Sequence, residues 1–410
     1  MLVTASPLRR SGSDRLGRYY TAQVVSRILV DGMDIVSPDH VVDLGAGAGT
    51  LSVAAAARWK NSKFLTVDVD ASARAAVTGA LRGANHTHIR TSALNLDLPE
   101  RIRKKGASPD AGVCNPPFIL PRWRRDYVEI LRDAGFDYLP SVARDIEAPA
   151  LFLAQNMRIL AVGGTLGIIL PDSLISADRY RWFREGLLAN YRVLSVLKLP
   201  RNSFKGTDAL AHVVTILNER PSGETIHLSR LIDGAASRGL DLSVKDALER
   251  LDVDYHLTRA SRALIVHTGR SLESIGAVVN RGTFPVHVAV EKNLRFFHTT
   301  DIRSEDRGAW IDVPRPRRSS VLAAGRAVVA EPGDILLARV GRNFAVKVIG
   351  VRSGSAVLTD CVYRIRVAEC HRDGLLKALA SADGAAWLNG QAHGVSATQL
   401  PKSALMQFSY

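Results

Sequence analysis

Apolar positions in the first half of the chain alternate between two textures. Short runs, Val41-Val42-Asp43-Leu44, Phe64-Leu65-Thr66-Val67 and one ending at Val113-Cys114, predict strands. The Ala-rich segment Leu51–Ala57 and the stretch from Ala71 onward predict helices. His88–Leu94 reads as a third strand-like piece. Strand, turn and helix repeating in this way predict an α/β doubly wound sheet, with ligands beyond the strand C-termini. Further on, Glu147–Leu160 predicts a helix with Ala148, Leu151, Phe152 and Ile159 on one face, ended by Gly163-Gly164. Thr165–Leu170 predicts a strand closed by Pro171, and Tyr180–Asn190 a helix. Strands over Val193–Leu199 and Ala211–Leu217 flank the loop Pro200–Thr207.

The texture then changes. Pro221 to about Ser261 is polar, helical over Val244–Leu251, and reads as a connector. From about Leu272 short strands and turns take over, as at Ile275–Asn280, Arg281-Gly282 and Pro332–Gly341. A helix over Asp373–Ser381 and the stretch Gly394–Leu400 come last. The expected division is 1–220 for the α/β half, 221–260 for the connector and 261–410 for a β-rich second domain. With 410 residues the chain is long enough for two domains.

Charge sharpens this picture. Lys and Arg number 54 against 40 Asp and Glu, a formal charge of +14 that suits a polyanionic partner. Arg315, Arg317, Arg318, Arg339, Arg342, Lys347 and Arg352 cluster in the loops of the second half, which favours a nucleic-acid footprint, with a solvated surface as the alternative. Three cysteines, Cys114, Cys361 and Cys370, form no CxxC pair, so neither a zinc site nor disulfides are expected and a cytoplasmic location is. No run reaches the roughly eighteen apolar residues of a membrane span. The N-terminus lacks the apolar core of a signal peptide.

Candidate chemistry falls at the strand ends. Asp43-Leu44-Gly45-Ala46-Gly47-Ala48-Gly49 is a small-residue turn between strand and helix. Its Asp-x-Gly-x-Gly-x-Gly spacing departs from the dinucleotide GxGxxG. The acid disfavours a pyrophosphate and suits a cationic or amine-bearing ligand; S-adenosylmethionine carries both a sulfonium and an amine. Asp68 ends the second strand about 20 residues past the glycines, where an acid holds ribose hydroxyls. Asp70 is placed to cap the next helix. Ser92 would lie near an adenine edge. Thr21, after Gly17-Arg18-Tyr19-Tyr20, stands where an N-cap or an anion-binding hydroxyl would stand.

The most specific stretch is Asn115-Pro116-Pro117-Phe118. Two prolines cannot donate to a sheet ladder, so the chain leaves its strand here in a stiff loop. Asn115 Oδ1 and the Pro116 carbonyl are placed to accept both hydrogens of an exocyclic amine, with Phe118 able to stack on the base that carries it. The alternative is an ordinary Pro-Pro turn. Phe204 is either a second ring for that base or a residue tucked into the core. Arg122 and Arg124, around Trp123, either grip a phosphate backbone or form a solvated loop.

In this order the parts resemble the N6-adenine DNA methyltransferases of the gamma arrangement. Gly17–Thr21 is similar to that family's N-terminal cofactor motif, with Ala22 where a proline usually follows. Asp43–Gly49 resembles its glycine motif, Asp68 its ribose acid and Asn115–Phe118 its catalytic tetrapeptide; Ser92 stands where an acid is common. Gly164–Ser176 and Pro200–Thr207 resemble type I restriction modification subunits, and the tail from about Asp252, clearest at Pro332–Leu337, one recognition half of a type I specificity subunit. The resemblance implies a Rossmann-like seven-stranded S-adenosylmethionine-dependent methyltransferase domain (α/β) and a C-terminal α+β, β-rich target-recognition domain. It implies Tyr20, Thr21, Asp43, Gly45, Gly47, Asp68 and Ser92 at the cofactor, and Asn115, Pro116, Pro117 and Phe118 at the chemistry. It implies Phe204, Arg122, Arg124, Arg317, Arg318, Arg339 and Arg342 on double-stranded DNA, with no metal. A flipped adenine would be methylated at N6, directly and without a covalent enzyme intermediate. A second copy or other subunits of a restriction or defence system are the expected protein partners. Two other classes stay open: methyl transfer to RNA or a protein glutamine, and a non-catalytic DNA-recognition subunit.

Overall fold

The computed structural model describes residues 23–140, 143–204, 209–223, 225–263, 269–291, 296–314, 327–394 and 397–410. The chain divides into two units, one up to Val253 and one from Asp254 on.

Among the described residues the first unit is built on one ten-stranded sheet. β1 (His40–Leu44), β2 (Lys63–Asp68), β3 (Asn85–Arg90), β4 (Ala111–Cys114) and β5 (Thr165–Pro171) run parallel. β6 (Arg192–Lys198) pairs antiparallel with β7 (Ala211–Leu217), which also runs against β5. These seven lie in the order β3-β2-β1-β4-β5-β7-β6. The expected seven strands are exceeded because β8 (Thr225–Ile232) adds alongside β6, with β9 (Ala235–Ala236) and β10 (Leu240–Ser243) on it. Part of 221–260 is therefore sheet, where the sequence reading expected a helical connector. The reason is visible in β8: Ile226, Leu228 and Leu231 are buried between more exposed polar neighbours, as a half-covered strand requires. The third strand begins earlier than expected, and β3 forms one edge of the sheet.

Why the sheet buries well is plain from its strands. β4 and β5 are buried at every position and carry small and aliphatic side chains, as a central parallel strand must. The helix Ala148–Ile159 packs behind them, buried at eleven of its twelve residues. Among the described residues no helix is long and apolar enough to cross a membrane.

The second unit is α+β. β11 (Val278–Arg281), β13 (Trp310–Asp312), β15 (Ile335–Ala338), β16 (Val348–Ser353) and β18 (Val362–Arg366) form a five-stranded sheet in the order β11-β18-β15-β16-β13. β12 (Phe296–Phe297), β14 (Val329–Ala330) and β17 (Ala356–Leu358) make a three-stranded one. The helices Glu369–Ala380 and Ala382–Gln391 contribute Leu375, Leu379, Trp387 and Leu388 to a core shared with Ile335, Leu337 and Ile365.

Candidate functional site

The crevice lies where the strand order reverses, the position at which open α/β sheets hold ligands. β1 and β4 are parallel neighbours, with Asp43 opposite Val113. One residue on, both strands end, and the Cys114 thiol donates to the Leu44 carbonyl at 3.3 Å. Gly45 and Asn115 thus leave the sheet side by side, and both line one pocket.

After β1 the chain makes a tight turn through Gly45, Gly47 and Gly49, all at positive φ (77°, 52° and 81°). Their surroundings differ. A Cβ at Gly45 would lie 3.1 Å from the Phe152 ring, and one at Gly49 3.2 Å from Val77. A Cβ at Gly47 would enter open space within the crevice. The outer two glycines let strand and helix close up; the middle one leaves room.

Two carboxylates face this turn. Asp68 ends β2 and is buried; its oxygens accept from the Gly47 and Asp70 amides, each at 2.8 Å. It shapes the turn as well as lining the pocket. Asp70 caps its helix as expected, accepting from the Ser72 amide at 2.9 Å. Asp43 is 3% exposed and accepts from the Ser52 hydroxyl at 2.5 Å. Burial pushes its carboxyl up to about 7, the Ser52 hydrogen bond pulls it back, and the nearby Asp68 charge raises it again.

Opposite stand Ser92, Ala93 and Leu94. The Ser92 hydroxyl accepts from the Leu94 amide at 3.2 Å, which fixes the bend after β3. Val69, 58% exposed beside Asp68, and Phe152 add apolar surface.

Asn115 and Pro117 form the wall on the β4 side. The loop is pinned by its own backbone: Ile119 donates to the Pro117 carbonyl at 3.0 Å, and Ala148 to the Ile119 carbonyl at 2.9 Å. Pro116 is buried beneath it. Phe118 meets Phe204 edge to face, centroids 6.3 Å apart. Phe204 is 3% exposed in the core, so in this structure it backs Phe118 and presents no face to a ligand.

The remaining expected residues are dispersed. Arg122 is exposed, and Arg124 donates to both oxygens of Asp126 at 3.1 and 2.8 Å. Arg339 is half-buried, its Nε donating to the Asp360 carbonyl at 2.8 Å, and Arg342 is exposed. Tyr20, Thr21, Arg315, Arg317 and Arg318 lie outside the described residues. Sequence reasoning missed Ser52, Val69 and Phe152. Phe152 was legible only as a core position of its helix, and nothing local pairs Ser52 with an acid nine residues earlier. Among the described residues no group of three or more His, Cys, Asp or Glu is placed to hold a metal ion.

Such a sheet, with an acid-and-glycine turn and an Asn-Pro-Pro loop on one crevice, defines a methyltransferase class. The N-6 DNA methylase family model matches residues 8–235, more than half of the chain, and the chain belongs to that family. S-adenosylmethionine is the cofactor this membership brings. Among curated proteins, the tRNA1(Val) (adenine(37)-N6)-methyltransferase of Vibrio parahaemolyticus serotype O3:K6 is 31% identical over 94 residues, 21% of this chain and 35% of that protein. The type II methyltransferase M.CvrRI of Paramecium bursaria Chlorella virus XZ-6E is 22% identical over 207 residues, 50% of this chain and 49% of that protein. The chain thus spans between a third and a half of these relatives' lengths. Among solved structures, a type I restriction-modification methyltransferase subunit from Streptococcus thermophilus matches with TM-score 0.45 and 18% identity, covering 61% of this chain and 54% of that one. The type IIG restriction endonuclease BpuSI matches with TM-score 0.48 and 12% identity, covering 95% and 57%.

The crevice residues fit the cofactor. It carries a sulfonium, an amine, ribose hydroxyls and a flat base. The chain offers two carboxylates, a turn with open space at Gly47, and the apolar surface of Val69, Leu94 and Phe152.

Proposed function

We propose that this chain is a site-specific DNA methyltransferase acting on adenine N6 in a restriction-modification or defence setting, with residues 261–410 choosing the site. The observation that carries the reading is the meeting of Asn115 and Pro117 with Asp43 and the Gly45–Ala48 turn on one crevice. S-adenosylmethionine, when bound, supplies an electrophilic methyl group. Asp68 would hold ribose hydroxyls and Asp43 the cationic portion of the cofactor, with Ser92 at the rim. Adenine N6 is a poor nucleophile because its lone pair is delocalised into the ring. Asn115 Oδ1 and the Pro116 carbonyl, accepting the N6 hydrogens, localise that pair as positive charge develops on nitrogen. The stiff proline loop holds both acceptors in place before the base arrives. A base in a duplex is out of reach, so the target adenine is flipped out and stacked on Phe118, which Phe204 supports. A second copy, or a partner subunit, would supply the other half of a two-part recognition site.

The test is methyl transfer from labelled S-adenosylmethionine to duplex DNA, bulk RNA and protein, followed by analysis of the modified nucleosides. N6-methyladenine in DNA at one sequence context is expected. Label in RNA alone would overturn the reading in favour of a second one, RNA methylation, which the 94-residue likeness to a tRNA methyltransferase favours; label in protein alone would overturn it in favour of glutamine methylation. A chain ending at Val253 is expected to bind cofactor and to lose site selectivity. If it methylates the same site as selectively, residues 261–410 are not the reader.

A further inference from the structure

One end of the five-stranded sheet of the second unit is organised around a single acid. β11 ends at Arg281, β15 ends one residue before Arg339, and β18 begins two residues after Asp360. The pairings Arg281 with Tyr363 and Ala338 with Val362 bring all three to the same end. Gly282 makes the approach possible: a Cβ there would lie 2.1 Å from the Thr359 carbonyl oxygen, so any other residue would push the Asp360 segment away. Arg281 donates through Nη2 to Asp360 Oδ2 at 2.7 Å and through Nε to the Asp360 carbonyl at 3.2 Å. Arg339 donates through Nε to that same carbonyl at 2.8 Å. The Arg281 side chain is 54% exposed and that of Asp360 19%, so the acid lies inside and the guanidinium outside.

The opposite end of the same sheet shows what a purely structural arrangement looks like. There Arg366 meets both Asp334 and Glu331, and Arg352 meets Asp312 with two hydrogen bonds. Every one of those cations is matched by acid. At the Asp360 end Arg281 meets the carboxylate while Arg339 is held by the Asp360 backbone carbonyl, so one acid stands beside two guanidiniums, and Lys347, next to β16, donates to the neutral Thr299 carbonyl at 2.7 Å. Positive charge is left over there, in side chains already held in orientation. Arg281, held through Nε and Nη2, and Arg339, held through Nε with a long 3.4 Å contact from Nη1 to the Gln399 side chain, have Nη hydrogens beyond those bonds, in the plane that suits phosphate oxygens.

We propose that Arg281 and Arg339, aligned by Asp360, form a clamp for the phosphate backbone of duplex DNA. The proposal rests on the reading of the chain as a DNA methyltransferase and adds the surface by which the second unit is seated on its substrate. Phosphate contacts set register and orientation and carry no sequence information themselves. The clamp therefore positions the second unit, and base readout falls to neighbouring loops.

The experiment is a salt titration of binding by the full chain to a labelled duplex. Arg281→Gln and Arg339→Gln are each expected to weaken binding and to lower the slope of log affinity against log salt by about 0.9. Asp360→Asn is the decisive variant. It adds one unit to the formal charge of +14, so a surface acting through net charge alone would bind more tightly. A clamp whose Arg281 has lost its carboxylate partner, the carbonyl contacts of both arginines being kept, binds roughly tenfold more weakly, the size of one charged hydrogen bond. Arg281→Lys keeps the charge without the fork and is expected to keep the slope while losing affinity. An unchanged slope in both glutamine variants, or tighter binding by Asp360→Asn, overturns the clamp. So does binding of RNA or an acidic protein in place of the duplex. Full-rate DNA methylation by glutamine variants with an unchanged slope removes the clamp and leaves the enzymatic reading standing. Absence of DNA methylation by the unaltered protein removes the enzymatic reading itself.

Discussion

The turn after β1 and the loop after β4 leave the sheet side by side, yet they are built from opposite materials. The first is three glycines at positive φ, tied down through its amides: Gly45 donates to the Val67 carbonyl at 2.8 Å and Gly47 to Asp68. The second holds two residues with no amide hydrogen, so it offers carbonyls and one amide side chain. One side of the crevice is thus acidic and open, the other stiff and rich in acceptors. The difference separates two tasks. Holding a cation with hydroxyls calls for carboxylates and space, while polarising an amine calls for fixed acceptors. Damage to one side should therefore show in binding, and damage to the other in rate.

The largest effect is expected at the proline side. Asn115→Ala should lower single-turnover methyl transfer by about 10²-fold or more, while calorimetry finds cofactor affinity within a few-fold of the unaltered protein. Near-normal transfer would end the proposed division.

Next comes the acidic side. A cationic ligand favours ionised Asp43, whose carboxyl is pushed up to about 7, chiefly by burial. Below that pH the free protein holds a proton there which the ligand must displace. Cofactor affinity should therefore rise with pH and level off above about 7, changing by up to about tenfold per pH unit below it. Asp43→Asn should weaken binding and flatten this profile. Calorimetry in buffers of different ionisation enthalpy measures the released proton; none at pH 6 would remove Asp43 from contact with the cation.

A smaller loss is expected for Gly47→Ala. Its Cβ enters the open crevice at φ 52°, which costs roughly 1 kcal/mol in backbone strain and several-fold in cofactor affinity. Thermal melting separates the two. The smallest effect belongs to Ser52→Ala, which removes a hydrogen bond that favours the Asp43 carboxylate. The midpoint of the pH profile should move upward, with the affinity plateau unchanged.

Both turns were legible in the sequence because their chemistry is local. Glycine spacing and adjacent prolines dictate backbone shape over a few residues, and the sheet needs only to bring them together. What was not legible depends on distant partners. Phe204 sits in a loop segment yet is buried against Phe118, a contact across more than eighty positions of chain. Arg339 reads as one loop cation among several until Asp360 closes on it. Residues 225–243 looked polar enough to be a connector, since half of a one-sided strand is polar by construction; the alternation of Ile226 and Leu228 was the available signal. The domain division places its boundary inside the helix Val253–Ala263, where composition changes little.

The edge strand β3 has a consequence for handling the protein. A bare strand edge is a template on which a second molecule can zip itself. This one is written almost wholly in polar residues, Asn85, His86, Thr87, His88 and Arg90, with Ile89 the single aliphatic. Burial holds both histidines below their usual range; the His88 charge adds to the effect at His86, while at His88 the Asp68 charge opposes it and the Arg74 charge adds to it. Near neutral pH the edge therefore resists zippering through hydration more than through repulsion. Pairing at this edge should depend little on salt, whereas two valines in place of the histidines should make the protein associate as it is concentrated.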